Sequence, residues 1–251
     1  MTKQPKDNST KEMIKSLVIA ILLAFTFRSF LFEPFYIPSG SMKSTMLVGD
    51  YIFVSKYSYG YSKYSFPFGF DLFDGRKIAK APERGDIIVF KLPSDTNVNY
   101  IKRLVGLPGD KLQVKQSILY INGVPLPRKQ IRNFTDTDAK GHTREIPQYI
   151  ETMPNNVSYR VLDQDPNGPL DNTEVFTVPE NNYFFMGDNR DNSQDSRVSN
   201  LVGFVPEENL LGPARMIFFS STAKLAQVWN WIPGLRTERF LKSVKYEGGD
   251  E

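Results

Sequence analysis

The run Pro38-Ser39-Gly40-Ser41-Met42 carries two hydroxyls within one short turn. A serine hydroxyl is a weak nucleophile and attacks only when a positioned base takes its proton. Proline and glycine ahead of Ser41 make a tight backbone, which suits a presented nucleophile and leaves N–H groups to hold an oxyanion. The choice of base is narrow, because the chain has no cysteine and one histidine. A Ser-His-Asp arrangement stays open through His142, but that residue lies in a polar stretch, a poor place for a buried, oriented imidazole.

Lysine is the other candidate. Its ammonium is protonated at neutral pH unless burial among apolar groups lowers its pKa by several units. Lys102 sits in Tyr100-Ile101-Lys102-Arg103-Leu104-Val105, a strand pattern. Period-2 alternation puts Tyr100, Lys102 and Leu104 on one face, and Ile101, Arg103 and Val105 on the other. The adjacent cations therefore point opposite ways, so one is expected inside while the other meets solvent. The bland alternative is a solvated strand lysine.

The third stretch is Gly187-Asp188-Asn189-Arg190-Asp191-Asn192-Ser193-Gln194-Asp195-Ser196-Arg197. It follows the apolar Tyr183–Met186 and can build a hydrogen-bonded network behind a site. It lacks the acidic residue a calcium loop needs at fixed spacing after its glycine, so no metal and no cofactor are expected. Ser221-Thr222-Ala223-Lys224 matches S-x-x-K, but its partner motifs K-T-G and S-D-N are missing, and so short a match is common by chance.

These residues must be held by something. Met13 to Phe32 is apolar enough for a membrane anchor, and twenty residues at about 1.5 Å each match a hydrocarbon core. Lys15 and Arg28, near its ends, can carry their charge to the interface. A cleaved secretory signal needs small residues at the cut, and Arg28 to Phe35 is bulky instead. A buried soluble helix is the remaining alternative. Lys3, Lys6, Lys11 and Lys15 put the short tail in the cytoplasm by the positive-inside rule, with the catalytic part outside the cell membrane.

After the anchor, Tyr51–Lys56, Asp86–Lys91, Tyr100–Val105, Lys111–Val114 and Ile118–Ile121 read as short strands. Asn122-Gly123 reads as a hairpin turn and Leu107-Pro108-Gly109-Asp110 as another. No helical periodicity intervenes, so the expected fold is mostly β, an antiparallel core. Residues 125–179 are polar and rich in Pro, Asn and Asp, a surface insertion or small subdomain. The expected division is 1–12 tail, 13–32 anchor, 33–124 and 180–251 β core, and 125–179 insertion. Met216 to Ile232, with Trp229 and Trp231, reads equally as an interfacial segment or as a core strand with a packed loop. The net charge of +3, with no basic stripe interleaved with aromatics, speaks against nucleic acid.

Taken in order, Glu33–Asp50, Glu83–Phe90, Tyr100–Asp110 and Gly187–Pro206 resemble the matching blocks of bacterial type I signal peptidases, membrane-bound Ser/Lys proteases that remove secretory signal peptides. The single span also matches; the insertion and the C-terminal tail are covered least. The resemblance implies Ser41 as nucleophile, Lys102 as general base, and Ser39 with the Ser41 N–H as oxyanion hole. It implies Ser193 as the group orienting the lysine, and Asp195 with Arg197 as an ion pair bracing the loop. Phe35, Ile37, Met42, Met46, Ile52, Val89, Tyr100 and Ile101 would wall shallow subsites for small side chains at the first and third positions before the cut. The implied partners are signal-peptide-bearing precursors and the lipid bilayer. The chain departs from many relatives in having Lys43-Ser44-Thr45 after the nucleophile, without a proline before the threonine. Two rival readings are a Ser/Lys protease with another task, such as self-cleavage, and a non-enzymatic anchored envelope module.

Overall fold

The computed structural model describes residues 8–66, 75–137, 142–223 and 232–245. Its first element is helix α1 (Asn8–Phe30), of which Thr10–Phe30 is long and apolar enough to cross a membrane and is almost uncovered by the rest of the chain. The helix stops ahead of Glu33-Pro34, because a residue preceding proline disfavours helical backbone. Phe32 therefore opens the first strand instead of closing the anchor. The junction is packed: the Phe30 ring lies against Tyr61 and Phe66, and Tyr61 Oη donates to the Phe30 carbonyl at 2.9 Å.

The strands in chain order are β1 (Phe32–Tyr36), β2 (Asp50–Ser55), β3 (Ile87–Leu92), β4 (Asp95–Gly106), β5 (Lys111–Lys115), β6 (Ile118–Ile121) and β7 (Val124–Pro125). There follow β8 (Arg128–Thr137), β9 (Thr143–Thr152), β10 (Ser158–Leu162), β11 (Phe176–Thr177), β12 (Asn182–Met186), β13 (Val205–Pro206), β14 (Leu210–Ser220) and β15 (Lys242–Ser243). The main sheet runs β1-β2-β14-β3-β4-β12-β13, with β15 on β14; β10-β9-β8 and β11-β5-β6-β7 form two smaller sheets. The pairings between these strands are antiparallel, as the short alternating runs demand. Asn122 and Gly123 both take positive φ, 53° and 82°, at the β6–β7 turn. Gly109 does so in the 107–110 turn, where Leu107 N–H donates to Asp110 Oδ2 at 2.7 Å.

One expectation changes here, and one open choice is decided for part of its length. Segment 125–179 is more than a surface addition: Leu126, Met153, Tyr159, Val161 and Val178 share one buried cluster with Val105, Leu112, Phe184 and Met186. Its strands turn polar residues outward and a sparse apolar set inward, so average composition hides the shared core. Met216–Ser220 belongs to β14, a strand inside the main sheet; Lys224, Trp229 and Trp231 lie outside the described residues.

Candidate active site

Ser41 stands on the turn between β1 and β2. Lys43 N–H donates to the Gly40 carbonyl, and Thr45 and Met46 N–H to the Met42 carbonyl, so the chain coils back immediately after the serine. The loop after β12 locks this turn: Asn189 N–H donates to the Ser41 carbonyl and Asn189 Nδ2 to the Gly40 carbonyl, each at 3.0 Å. Ser41 N–H has no backbone acceptor among the described residues.

Lys102 reaches this turn from β4. Its Nζ donates to Ser41 Oγ at 2.8 Å and to the Ile101 carbonyl at 2.9 Å, and lies 5.1 Å from the Tyr100 ring centre. The two residues are 7% and 4% exposed, so the pair is nearly sealed from water. Burial pushes the Lys102 ammonium down from 10.5 to about 8, against the opposing pull of the Asp195 and Asp188 carboxylates. An amine so depressed is partly neutral near physiological pH and can accept a proton. Ser39 Oγ lies 3.4 Å from Ser41 Oγ on the exposed side of the turn.

Arg103 corrects the expectation that one of the adjacent cations meets solvent, since it is 4% exposed. Both faces of β4 are covered. Arg103 Nε and Nη2 donate to Asp188 Oδ1 and Oδ2, each at 2.7 Å, and Nη1 to the Gly85 carbonyl at 2.8 Å. Its guanidinium lies 4.4 Å from the Tyr159 ring centre, supplied by the insertion. Asp188 Oδ2 also accepts from Thr45 Oγ1, tying the serine turn to the same pair.

The loop 187–197 carries the remaining groups. Arg197 Nε and Nη2 donate to Asp195 Oδ1 and Oδ2, each at 2.9 Å, and Nη2 donates to the Arg190 carbonyl at 2.7 Å. Burial alone would raise the Asp195 carboxyl; Arg197 beside it holds it below the ordinary carboxylate value. Gly187 N–H donates to Asp195 Oδ2 at 3.0 Å. A methyl at Gly187 would stand 2.2 Å from Ser193 Oγ and 2.6 Å from the Ser41 carbonyl, so only glycine lets the loop approach Ser41 this closely. Ser193 is buried and faces the same cleft, yet its Oγ makes no hydrogen bond of ordinary geometry, to Lys102 or to any other described group. Its hydroxyl still contributes to keeping Asp195 ionised.

The cleft encloses about 500 Å³ between Pro38, Ser39, Val98–Lys102 and Asp191–Gln194. On this side β12 pairs with β4 only at Arg103–Gly106, so residues 99–101 have no strand neighbour there among the described residues. Of the residues expected as subsite walls, Tyr100 and Ile101 open onto the cleft. Ile37, Met42, Met46, Ile52 and Val89 are at most 2% exposed and form, with half-buried Phe35, the packed floor under the serine turn. His142 is exposed in the β8–β9 connection and is not part of the cleft lining.

The model of the family described as "Signal peptidase, peptidase S26" matches residues 10–219. The chain belongs to the signal peptidase family. Signal peptidase I of Rickettsia massiliae is 45% identical over 263 residues, 97% of this chain and 96% of that protein. Signal peptidase I of Rickettsia typhi is 42% identical over 260 residues, 95% and 96% of the two chains. A crystal structure of a signal peptidase I from Enterococcus faecalis is 28% identical, covers 53% of this chain and 97% of that one, and has a TM-score of 0.31, an overlay too loose to carry weight. One N-terminal helix able to cross a membrane fits a single-pass member of this peptidase family. Reading the 187–197 loop in isolation missed Arg103, Glu151 and Arg190. Glu151 is fully buried and holds Arg190 by both oxygens, with Tyr159 Oη donating to it at 2.8 Å. A buried acid and arginine in polar-looking segments are the only trace of this that the sequence carries.

Proposed function

We propose that this protein is a membrane-bound serine endopeptidase that removes signal peptides from secreted precursors, with Ser41 as nucleophile and Lys102 as general base. The observation that carries the reading is the 2.8 Å contact between Lys102 Nζ and Ser41 Oγ in a nearly dry setting. Neutral Lys102 takes the hydroxyl proton as Ser41 attacks the scissile carbonyl. Ser41 N–H and Ser39 Oγ receive the oxyanion, an interaction worth roughly 3 kcal/mol per donor. The lysine then protonates the leaving amine, and water, deprotonated by the same lysine, hydrolyses the acyl-enzyme. Ser193, whose hydroxyl makes no bond to Lys102 as placed, turns toward the amine to aim it between steps, and the Asp195–Arg197 pair holds the loop that carries it.

The substrate lies extended along residues 99–101, where β4 has a free edge, and adds a strand there. Its small side chains settle against Tyr100 and Ile101, and Phe35, Ile37, Met42, Met46, Ile52 and Val89 act as the packed layer that backs the serine turn rather than as open walls. Residues 33–124 and 180–251 supply the catalytic unit, and 125–179 braces it. The N-terminal tail is cytoplasmic and the catalytic unit faces outward, at the bilayer surface where precursors emerge; nucleic acid has no part.

The test is cleavage of a purified secretory precursor by the full-length protein in detergent, with the product's new N-terminus sequenced. A single cut after the signal peptide is expected, and Ser41→Ala lowers the rate to below about a thousandth. Undiminished cleavage by Ser41→Ala refutes the assignment.

A further inference from the structure

Behind the cleft, on the side of the insertion, one carboxylate oxygen from each of Asp163, Asp171 and Asp191 lies within 4.8 Å of the others. Asp163 and Asp171 are buried, and Asp191 is exposed. Little positive charge offsets them. Asp163 Oδ2 accepts from Arg128 Nη2 at 2.6 Å. Asp171 Oδ2 accepts the Gly168 N–H at 2.7 Å, and Asp191 Oδ2 accepts the N–H groups of Gln164 and Asp165. Asp163 Oδ1 is buried with no hydrogen-bond partner, although its side chain is only 4% exposed. Arg128 engages Oδ2 only, and its own Nε is likewise buried without a partner among the described residues, so Oδ1 keeps a desolvation cost that a second cation would relieve.

The sequence adds an independent sign. Asp163-Gln164-Asp165-Pro166-Asn167-Gly168, followed after five residues by Glu174, matches every fixed position of the calcium-loop template D-x-[DN]-x-[DN]-G-x₅-E. Asp171 stands at the ninth position, itself a ligand position in such loops. The loop is entered from strand β10 rather than from a helix, and its geometry differs from the template accordingly. The first and ninth residues meet, Glu174 runs on toward β11, and Asp191 takes a place from the catalytic loop. Gly168 backs the group closely: a methyl there would stand 2.9 Å from both Asp171 Oδ2 and Asp191 Oδ1. Oxygens on opposite sides of a calcium ion are separated by twice a bond of about 2.4 Å, the same scale as the observed spread.

We propose that Asp163, Asp171 and Asp191 bind a hard divalent cation of the calcium class, which clamps the 163–171 loop of the insertion to the 187–197 loop of the cleft. The cation is structural. It completes the coordination of Asp163 and fixes Asp191, two residues before Ser193, on the cleft wall. With three carboxylates and one arginine, the affinity belongs to the weak class of extracellular calcium modules, Kd about 10⁻⁴–10⁻³ M.

The experiment uses the full chain in detergent, stripped with EGTA and returned to buffers of matched ionic strength. Radioactive calcium in equilibrium dialysis is expected to show about one ion per chain near 5 mM. The thermal midpoint is expected to rise by about 3–6 °C between EGTA and 5 mM Ca²⁺, and by less with Mg²⁺, which demands tighter geometry. Asp171→Asn, which can still accept the Gly168 N–H, is expected to lose both binding and shift while melting in EGTA no lower than the parent. Asp191→Asn, an exposed change, gives the same loss should Asp171→Asn not fold. Substoichiometric binding at 5 mM, or a full shift retained by the variants, overturns the proposal. Neither readout depends on peptidase activity, so this result and that of the precursor assay stand apart.

Discussion

At the scale of residues, the proposed chemistry rests on keeping a lysine uncharged. Bringing an ordinary lysine from 10.5 to about 8 costs its charged form about 3 kcal/mol. The rate of cleavage is therefore expected to rise with pH and reach half its plateau near pH 8, and Lys102→Arg, which cannot give up its proton, is expected to be inactive at every pH. A profile flat from pH 6 to 9 would reject Lys102 as the base. The same cost appears in stability. The folded pKa lies below the unfolded one, so between about pH 8 and 10.5 the unfolded state binds more protons, and this group's contribution to stability increases as pH rises through that window. Below pH 8 the full penalty is present. Lys102→Met is accordingly expected to be inactive and, at pH 7, more stable by about 1–3 kcal/mol in chemical denaturation. Ser193 gives the opposite test. Its hydroxyl is buried, forms no ordinary hydrogen bond and supports Asp195 less than Arg197 and the Gly187 N–H do, so Ser193→Ala removes little the fold relies on. The melting temperature is expected to stay within about 1 °C while turnover falls by at least tenfold. A variant that melts early and keeps its rate would make Ser193 structural.

At the scale of elements, the dyad is held by β4, the serine turn and the 187–197 loop, and the Arg103–Asp188 pair joins all three. Arg103 is on β4, Asp188 opens the loop, and Thr45 Oγ1 on the serine turn donates to Asp188 at 2.5 Å. Breaking a buried pair by neutralising one partner strands the other charge, which costs about 3–5 kcal/mol. Asp188→Asn keeps the shape and is expected to lower stability by about 2–4 kcal/mol in urea, with cleavage reduced in parallel; an unchanged midpoint would show that the pair is dispensable. Strand positions such as β6 at Ile118–Ile121 were legible because period-2 alternation and an Asn-Gly turn are local signals. Lys102 was legible as a candidate by its residue type, but its contact with Ser41 joins residues 61 apart, and family resemblance rather than local pattern linked them. Alternation told correctly that Lys102 and Arg103 face opposite ways. It could not tell that Tyr159 and Asp188 cover the second face, because both come from later in the chain. The bracing role of the insertion was hidden for the same reason: Glu151 and Arg190 are 39 residues apart and each looks like surface until paired.

At the scale of the whole molecule, the cleft is set by where the chain leaves the bilayer. Helix α1 ends at Phe30 and β1 begins two residues later, leading through Pro38 directly to Ser41. The β1–β2–β14 face beside the helix exit is lined by half-buried aromatics, with Phe53 stacked on Phe218 at 4.1 Å and Tyr51 against Tyr36 at 5.1 Å. Such amphipathic rings suit the headgroup layer, and in the proposed reading this is the face that meets the membrane. The proposed orientation, tail in the cytoplasm, rests on Lys3, Lys6, Lys11 and Lys15 at and ahead of the start of the helix. The absence of cysteine makes this testable without background. Two single-cysteine variants are needed, Lys11→Cys in the first turns of the helix and Val124→Cys at the exposed β6–β7 hairpin. In intact spheroplasts a membrane-impermeant maleimide is expected to label Val124→Cys fully and Lys11→Cys only after lysis. Both variants should keep cleaving the precursor, so that each reports on the native topology. Labelling of Lys11→Cys from outside, with Val124→Cys protected, would place the serine on the cytoplasmic side, where a translocated precursor never meets it.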